Sequence, residues 1–514
     1  MEEHPEIVTD EFGYQYRLGE ELSRGGQGIV YRTQTPNTLI KVLADSETGK
    51  WKLAENLNKG FQRLRTLPLP EHIHITVPQA TLRGAAGYVM TLLGEMDCCR
   101  AVFDSVAGAE TEDSGSPVPL DKENGSPAPV KAGQDSNHLS AEIATLPPEL
   151  AGQVRIHLSS PMRAQMPPEL AEQILNYLFT GGARRRLEVY CKCALLLSQL
   201  HMQGLVYCDF SRNNLFVSEN KVITNVWLID ADNIDYASEV QNSDRMLTPG
   251  YAAPEAYYNK MSFYSDCYSF ALAAFEDLFG CAPFNGMMLS DESGLEDEEN
   301  IGLAQRGELP YILDSEDDRN HCEGNLFLPQ LFSEQLLSLF DQTFSARGRK
   351  RPQSRPTMPV WAHALAWEHD HQLSCPHCGL PFYWQPGPDG ASCQCSCCDG
   401  HIPLLVLRSC YDREDGNSLC WEHVHELCPG QEFSVSSRLT GGVRLDEARL
   451  LRVRCEKDRL RLTLDTAAGF VMSVLDRSGF FEVRGEVRMD RHVWLKFENS
   501  TAKQLFFVEG TVLE

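Results

Sequence analysis

A polar loop between two short apolar strands constrains the fold and the chemistry of this chain most strongly. The loop lies in GLVYCDFSRNNLFV (204–217), which contains Asp209 and Asn214. Held at the base of a cleft, an aspartate can accept a proton and an asparagine can bind a metal ion. The loop therefore predicts a chemical site whose remaining partners must come from elsewhere in the chain.

Composition and charge limit the class of protein. The chain has 514 residues, enough for roughly two to four domains, and a formal net charge of −26. That charge argues against binding to nucleic acid or to an anionic membrane, which requires a basic surface. The acidic N-terminus has no apolar signal segment, and no window reaches the roughly 18 apolar residues of a membrane span. Because 18 cysteines then indicate reduced thiols and metal ligands, we expect a cytoplasmic protein.

The first hundred residues predict strands around one helix. Alternation predicts strands at 14–23, 28–33, 38–44 and 87–93, and helical spacing predicts a helix over 49–67. The glycine cluster LSRGGQGIVYR (22–32) lies between the first two strands, where its backbone amides can approach phosphates without a Cβ in the way. Lys41, near the end of the third strand, can reach the same phosphates, and Glu55 on the helix can hold it in an ion pair.

Further chemistry-bearing residues follow in a fixed order. Asp230 ends the hydrophobic strand VWLID, which delivers a carboxylate after the loop of Asp209 and Asn214. Beyond it, TPGYAAPE contains Glu255, YSDCYSFALAAF contains Asp266 and SRPT contains Arg355. A series in one order is far more specific than any of its members, each of which has an ordinary surface or turn interpretation.

This series resembles the eukaryotic-like protein kinase superfamily over residues 14–366. The resemblance implies an α+β, bilobal protein-kinase fold that binds ATP with Mg²⁺ or Mn²⁺. It implies that Asp209 accepts the proton of the substrate hydroxyl, that Lys41 holds phosphates with Glu55 as its partner, and that Asn214 and Asp230 bind magnesium. Glu255 should pair with Arg355, and Asp266 should anchor the catalytic loop from below. The implied ATP-binding residues are Leu22, Gly25, Gly26, Gly28, Val30 and Lys41.

The sequence departs from the family pattern at several positions. Tyr207 and Cys208 replace His-Arg before Asp209, and a neutral cysteine cannot bind an activation-loop phosphate. We therefore predict activity that does not require phosphorylation within 233–250, so that neither Ser243 nor Thr248 is an obligatory switch. The other departures are Ser211 in place of a lysine, with Arg212 as a substitute charge; Asp232 in place of a glycine, which allows metal to be shared with Asp230; and Leu39, which narrows the adenine pocket.

The motifs VYCDFSRNN and LIDADN are more similar to a divergent bacterial Ser/Thr kinase branch. That branch is associated with tellurite-resistance-type phosphorylation modules, so the resemblance implies bacterial signalling with phosphatase and von Willebrand-type partners. A protein substrate is the leading prediction. Two alternatives stay open: a pseudokinase or scaffold that binds partners, and a small-molecule kinase, against which the APE segment (253–255) argues.

Domain boundaries follow from shifts in composition. Within the kinase domain at 14–366, we predict an N-lobe at 14–93, an insert at 104–182 and a C-lobe at 187–366. Residues 105–145 are too poor in apolar side chains to fold, whereas LPPELAGQVRIHL (146–158) and MPPELAEQILNYL (166–178) repeat a helix start. These repeats predict either a packed helical insert or a partner-docking module similar to the opening of F-box modules. Alternation by twos predicts a small antiparallel β-rich interaction domain at 402–514.

Two cysteine pairs predict a zinc ribbon at 373–401. Cys375 and Cys378 form one C-x2-C motif, and Cys395 and Cys398 form a second after a hairpin-length gap. Four thiolates in this spacing can surround one structural Zn²⁺ without leaving a position for water. Cys393 and Cys397 offer an alternative register for the second pair. Because no basic run lies nearby, we expect the ribbon to contact protein rather than nucleic acid.

Overall fold

An antiparallel sheet of six strands forms the N-terminal part of the molecule, in the order β1-β2-β3-β4-β6-β5. Its strands are β1 (Ile7–Thr9), β2 (Gln15–Gly25), β3 (Gly28–Thr33), β4 (Thr38–Val42), β5 (Ala80–Thr81) and β6 (Gly87–Thr91). The strands predicted from alternation are confirmed as β2, β3, β4 and β6. This computed structural model describes residues 5–25, 28–45, 48–54, 57–105, 136–240, 247–248, 250–289, 297–322, 328–386, 393–413, 418–445, 447–457 and 459–513.

Helix α1 (Leu57–Leu64) is shorter than the predicted helix at 49–67. The prediction was wrong at its start, because Trp51 pairs with Ala44 in a β-bridge and its ring lies 6.0 Å from that of Tyr31. The rest of α1 packs on the sheet through Phe61, whose ring meets that of Tyr88 edge-on at 4.7 Å. Glu55 precedes α1 and lies outside the described residues.

A helical region that also contains several short strands follows the sheet. Its helices are α2 (Cys99–Asp104), α7 (Gly182–Met202), α8 (Phe263–Phe279), α9 (Asp297–Gln305), α10 (Glu334–Phe344), α11 (Ala346–Lys350) and α12 (Met358–His371). Its strands are β7 (Met96–Cys98), β8 (Leu205–Val206), β9 (Leu215–Ser218), β10 (Val226–Leu228) and β11 (Asp235–Tyr236), paired as β10-β9-β7 and β11-β8. Short 3-10 helices lie at Ala231–Asn233, Pro254–Tyr258, Met287–Leu289, Asp318–Asn320, Leu328–Leu331, Pro352–Ser354 and Thr466–Ala468.

Helix α8 shows why this region folds where it does. Ser262 and Ser265 form a capping box at its start, and Gly280 adopts the left-handed conformation that ends it. Between these caps almost every side chain is buried, including Phe270 and Phe275, which pack with Trp361 and Phe344 of neighbouring helices. Because α8 is buried on all sides, it holds in place the loops that contact its first turn. One of these is the loop of the candidate site.

The helical insert before α7 contains α3 (Ser136–Thr145), α4 (Pro148–Ser159), α5 (Pro161–Ala164) and α6 (Pro168–Phe179). Both repeated helices begin at the second proline of their Pro-Pro pair, where the missing amide leaves no bond unmade. Val154 and Leu178 are fully buried in a core that these helices share with the cysteine segment. The structure therefore favours the packed insert over the docking module. Of the stretch predicted not to fold (105–145), residues 106–135 lie outside the described residues, and the prediction was wrong for 136–145, which form α3.

The C-terminal part contains a small hairpin and a two-sheet sandwich. The hairpin is β12 (Gln372–Ser374) with β13 (Pro381–Tyr383). The sandwich contains β14 (Leu404–Cys410), β15 (Leu419–Glu426), β16 (Glu432–Ser436), α13 (Arg438–Gly441), β17 (Arg449–Cys455), β18 (Leu460–Leu464), β19 (Val471–Asp476), β20 (Gly479–Glu482), β21 (Glu486–Met489), β22 (His492–Asn499) and β23 (Gln504–Leu513). One sheet has the order β15-β14-β23-β22-β19-β20, and the other has the order β16-β17-β18-β21.

The sandwich packs directly on α12 rather than standing apart from the helical region. The Trp421 indole donates a hydrogen bond of 2.7 Å to Asp370, and its ring lies 5.3 Å from that of Trp367. Arg438 reaches Glu188 on α7 at 3.0 Å. Helix α12 also runs to His371, five residues beyond the predicted end of the C-lobe at 366. Within the described residues, every helix is too short or too polar to cross a bilayer.

Candidate active site

Lys41 and two aspartates meet at the junction of the N-terminal sheet and the helical region. The ammonium of Lys41 on β4 lies 2.5 Å from Oδ1 of Asp230 and 2.8 Å from Oδ2 of Asp232. Burial opposes the charge of Lys41, but the adjacent carboxylates of Asp232 and Asp230 more than offset it and raise its pKa above the ordinary value. The ammonium of Lys41 is therefore buried, charged and held in place where the N-terminal sheet meets the helical region.

Asp230 adopts a left-handed backbone conformation directly after β10, with φ 56° and ψ 55°. Such a conformation costs a non-glycine residue on the order of 1–3 kcal/mol and is concentrated at functional sites. The 3-10 turn Ala231–Asn233 then places Asp232 on the same side as Asp230. Burial raises the pKa of Asp232, Lys41 opposes that effect, and the neighbouring Asp230 adds to it.

Asp209 is held by Thr248 of the segment that follows β11. The backbone amide and the hydroxyl of Thr248 each donate a 2.7 Å hydrogen bond to Oδ1 of Asp209. Burial raises the pKa of Asp209, partly offset by these two bonds. The side-chain amide of Asn214 donates to the Asp209 carbonyl at 2.9 Å, and the Asn214 carbonyl accepts from Ile229 at 3.0 Å. Hydrogen bonds thus connect Asp209 to Asn214, and Asn214 to Ile229, the residue directly before Asp230.

Asp266 on α8 supports this loop from the opposite side. Its carboxylate accepts the backbone amides of Tyr207 at 2.8 Å and Cys208 at 2.9 Å, and it lies 3.0 Å from Nε2 of His201. The hydroxyl of Tyr207 donates to the carbonyl of Ile229, directly before Asp230. Tyr207, which sequence reasoning treated only as a replaced histidine, therefore joins the loop to β10.

Cys208 lies in an apolar cluster where the family pattern has an arginine. Its backbone φ is 76°, and its side chain packs with Val206, Val240, Ala256 and Met261. Val240 belongs to the segment after β11, so the apolar cluster joins that segment to the loop. This apolar contact can attach the segment to the loop without a phosphate group on the segment.

Glu255 and Arg355 form a buried, two-pronged ion pair. The two Nη–Oε distances are 2.7 and 2.8 Å, and the Arg355 side chain is fully buried. Arg355 also donates to the carbonyls of Gly348 and Tyr264 and lies over the Tyr268 ring at 4.7 Å. These contacts fix the end of the segment that carries Thr248.

Arg212 does not supply the charge that the sequence analysis assigned to it. Its guanidinium pairs with Asp104, lies 2.5 Å from Asp277, and approaches Glu276 at 3.7 Å. Burial disfavours the charge of Arg212, but these carboxylates raise its pKa. Ser211 is buried, and its hydroxyl has no hydrogen-bond partner among the described residues. The substitute charge was therefore a wrong prediction.

The glycine cluster forms the hairpin between β2 and β3, where Gly25 pairs with Gly28. A Cβ on Gly28 would lie 2.3 Å from the carbonyl oxygen of Val42, so only glycine allows this close approach of two strands. Leu22 and Val30 are half-buried on the flanking strands, and Leu39 on β4 is buried. Gly26 lies outside the described residues. The ATP-binding roles of this group stay predictions.

The acidic end of the site has the donor atoms that magnesium prefers. Asn214 uses its amide nitrogen on Asp209, which leaves the amide oxygen for a cation. One oxygen of Asp232, Oδ1, is buried and has no hydrogen-bond partner among the described residues. Carboxylate and amide oxygens suit Mg²⁺, so Asn214, Asp230 and Asp232 fit such an ion.

Two residues of this site were missed from the sequence. Tyr88 is the cross-strand partner of Lys41, whose ammonium lies 5.8 Å from its ring. Arg63 on α1 pairs with Asp235 of β11 at 2.7 Å and with Glu239, in the segment after β11, at 2.5 Å. The register of β4 against β6 identifies Tyr88, and that register is a property of the sheet rather than of local sequence.

The four predicted cysteines converge at the β12–β13 hairpin. The Sγ atoms of Cys375, Cys378, Cys395 and Cys398 all lie within 4.8 Å of one another. Cys375 and Cys398 are 3.6 Å apart, and Cys378 and Cys395 are 3.9 Å apart. A tetrahedral zinc with sulfur ligands at about 2.3 Å requires sulfur separations of about 3.8 Å, so the cluster fits that ion. Among the described residues the cluster includes Cys398 and not Cys397, so the second pair uses the register of Cys395 and Cys398.

Part of the helical region matches a known protein family. Residues 183–365 match the family model described as Protein kinase domain. The match begins in α7, so the N-terminal sheet with Lys41 lies outside it. Among the residues discussed above, the match includes Asp209, Asn214, Asp230, Asp232, Glu255, Asp266 and Arg355.

One curated relative is Serine/threonine-protein kinase RUNKEL of Arabidopsis thaliana, which is 28% identical over 125 residues. The alignment covers 22% of this chain and 9% of RUNKEL, so the chain spans a small part of the length of that relative. The family match supports a protein kinase domain over residues 183–365, and this relative supports the same eukaryotic-like superfamily.

Proposed function

We propose that this chain is an ATP-dependent protein kinase that transfers the γ-phosphate to a serine or threonine hydroxyl of a protein. The observation that carries the proposal is the convergence of Lys41, Asp230 and Asp209 at one junction, with Asn214 bonded to Asp209. Phosphoryl transfer depends mainly on positioning and on neutralising phosphate charge, and these residues supply both.

The residues divide the work as follows. Lys41 binds phosphate oxygens of ATP, and Asn214 and Asp230 are the groups that would hold Mg²⁺. The bound ion would neutralise charge on the phosphates. The substrate hydroxyl oxygen bonds to the γ-phosphorus as the bond to the ADP oxygen breaks, and Asp209 takes the hydroxyl proton.

We further propose that transfer does not require phosphorylation of the segment at 233–250. Two contacts support this: Val240 packs on Cys208, and Arg63 pairs with Asp235 and Glu239. The first joins the segment to the catalytic loop, and the second joins it to α1. In both cases existing side chains make the attachment for which a phosphate would otherwise be needed.

The choice of serine or threonine rests on the resemblance and on the printed name of the relative. Membership of a tellurite-resistance-type bacterial module, with phosphatase and von Willebrand-type partners, and a cytoplasmic location are proposals of the same kind. We also propose that the four clustered cysteines hold a structural zinc. Four thiolates would leave no open position for catalysis at that ion.

The proposal is tested by phosphate transfer from labelled ATP to a generic basic protein and to the chain itself. Wild type should label one or both in the presence of Mg²⁺ or Mn²⁺. Asp209→Asn should reduce the rate by about 100-fold or more, since a positioned base contributes roughly that much. Equal labelling by both proteins, or none by either, would instead support the pseudokinase alternative.

A further inference from the structure

The partner of Lys41 is the unusual feature of this site. Helix α1, as described, has the sequence LNKGFQRL and contains no carboxylate. Among the residues that the structure describes, the carboxylates that contact Lys41 come from the turn after β10. We propose that Asp232 is the positioning residue for Lys41, so that the partner of the phosphate-binding lysine is supplied by the turn after β10. The inference rests on the proposed function, because it concerns the same nucleotide site.

Asp232 is better placed for this task than Asp230. Its side chain is 11% exposed, compared with 22% for Asp230, so Asp232 lies deeper beneath the lysine. The turn that carries it is closed by a 3.0 Å hydrogen bond from the Ile234 amide to the Ala231 carbonyl. Asp230 also contacts Lys41, at 2.5 Å, but it is the more accessible carboxylate and is therefore the one that a cation can reach while Asp232 keeps its contact with Lys41.

The arrangement also provides carboxylates for two positive charges, the buried ammonium of Lys41 and a bound cation. A buried ammonium needs a paired carboxylate, because an isolated buried charge is strongly disfavoured. If Asp230 alone served Lys41, any cation bound by Asp230 would compete for the same oxygens. A second aspartate two residues later removes this competition, which gives the DAD sequence (230–232) a physical reason.

The test is a double-mutant cycle on nucleotide affinity, measured by calorimetry with ADP and Mg²⁺. Asp232→Asn keeps the size of the side chain and removes its charge. It should weaken ADP binding by about tenfold or more, the size of a lost charge-assisted bond. In a Lys41→Met background the same change should have little further effect. Asp97→Asn, which removes an exposed carboxylate on β7, should leave affinity within about twofold, as expected for a surface charge.

A second readout separates positioning from metal binding. In Asp232→Asn the Mg²⁺ concentration that half-saturates ADP binding should match that of wild type, while a raised Mg²⁺ requirement would overturn the proposal. An equal loss of affinity with and without Lys41, or no ADP binding by wild type, would also overturn it. Coupled ADP binding without phosphate transfer would support the role of Asp232 and contradict only the kinase activity.

Discussion

Thr248 contacts the candidate base through both its backbone amide and its hydroxyl. These two bonds orient the Asp209 carboxylate, and the hydroxyl donor exists only while Thr248 is unmodified. A phosphate or carboxylate at this position would lose the donor and would place a like charge beside a buried aspartate. At the scale of one residue, we therefore expect modification of Thr248 to inhibit transfer rather than activate it.

We therefore expect Thr248→Glu to lower the transfer rate by about tenfold or more, which corresponds to roughly 1.4 kcal/mol of lost transition-state stabilisation. Thr248→Ser keeps both donors and should stay close to wild type. Initial rates with saturating ATP and a basic acceptor protein measure the effect. A Thr248→Glu rate at or above that of wild type would show that charge at this position activates.

Individual residues with fixed roles could be predicted from the sequence, whereas their partners could not. Asp209, Asn214, Asp230 and Asp266 were found because a family motif fixes the spacing of each. Lys41 was identified, but its contact with Asp232 depends on how the sheet meets the turn after β10, which no local spacing encodes. The prediction that Arg212 supplies a substitute charge was wrong for a related reason. Asp277, which binds Arg212, lies 65 residues away in the chain and meets it only in the folded state.

At the scale of elements, helix α12 is joined to the start of α10 and to strand β12 through a buried carboxylate. Glu368 accepts hydrogen bonds from the amide and hydroxyl of Ser333 at 3.0 and 2.5 Å and from Gln372 at 3.1 Å. Burial raises the pKa of Glu368 from its usual value to about 7, despite these bonds. Because the folded protein binds this proton more tightly than the unfolded chain, the stabilisation it gives is complete below about pH 4.5 and is lost as the pH rises through about 7.

Glu368→Gln should remove this dependence, because an amide cannot ionise. Between about pH 5.5 and pH 8 the free energy of unfolding of wild type should fall by about 2 kcal/mol more than that of Glu368→Gln. Urea unfolding at both pH values measures the difference. The exposed Glu334→Gln on α10 is the matched control and should follow wild type. Parallel pH profiles for wild type and Glu368→Gln would contradict the prediction.

Elements were predictable where one pattern covered the whole element. Strand β3 is found as predicted, and β22 coincides with the alternating segment HVWLKFEN. Helix α1 was overextended because Trp51 and Leu53 continue a helical spacing, although Trp51 is held by a bridge and Leu53 is largely exposed. The segment 480–489 alternates as one strand but forms β20 and β21, which belong to different sheets. Tertiary packing overrode local pattern in both places.

At the scale of the molecule, the cysteine hairpin is tied to the helical insert. A Cβ on Gly379 would lie 2.6 Å from both the Gln153 carbonyl oxygen and the His157 nitrogen of α4, so the hairpin backbone lies directly on that helix. His157 also contacts the Cys378 carbonyl at 3.3 Å. A metal bound by the hairpin would therefore stabilise the insert. The sequence analysis had placed the insert and the zinc ribbon in different domains.

Purified wild type should contain about one zinc per chain, and the double change Cys375→Ser and Cys378→Ser should remove it. The thermal unfolding midpoint should fall at the same time, because the hairpin and α4 share a core. Elemental analysis of protein prepared without chelator measures the metal. Cys410→Ser with Cys420→Ser, in the sandwich, is the control and should keep the zinc. A wild type without bound metal would contradict the structural zinc.

The most direct test of the kinase proposal is the transfer rate of protein that has first been treated with a phosphatase, which is then removed. Because Cys208 and Arg63 attach the segment at 233–250 without a phosphate, treated wild type should label its acceptor from the first time point at a rate within about twofold of untreated protein. Treated Asp209→Asn should be slower by about 100-fold or more. A large loss of activity on treatment would contradict phosphorylation independence, and equal rates for wild type and Asp209→Asn would contradict the kinase activity itself.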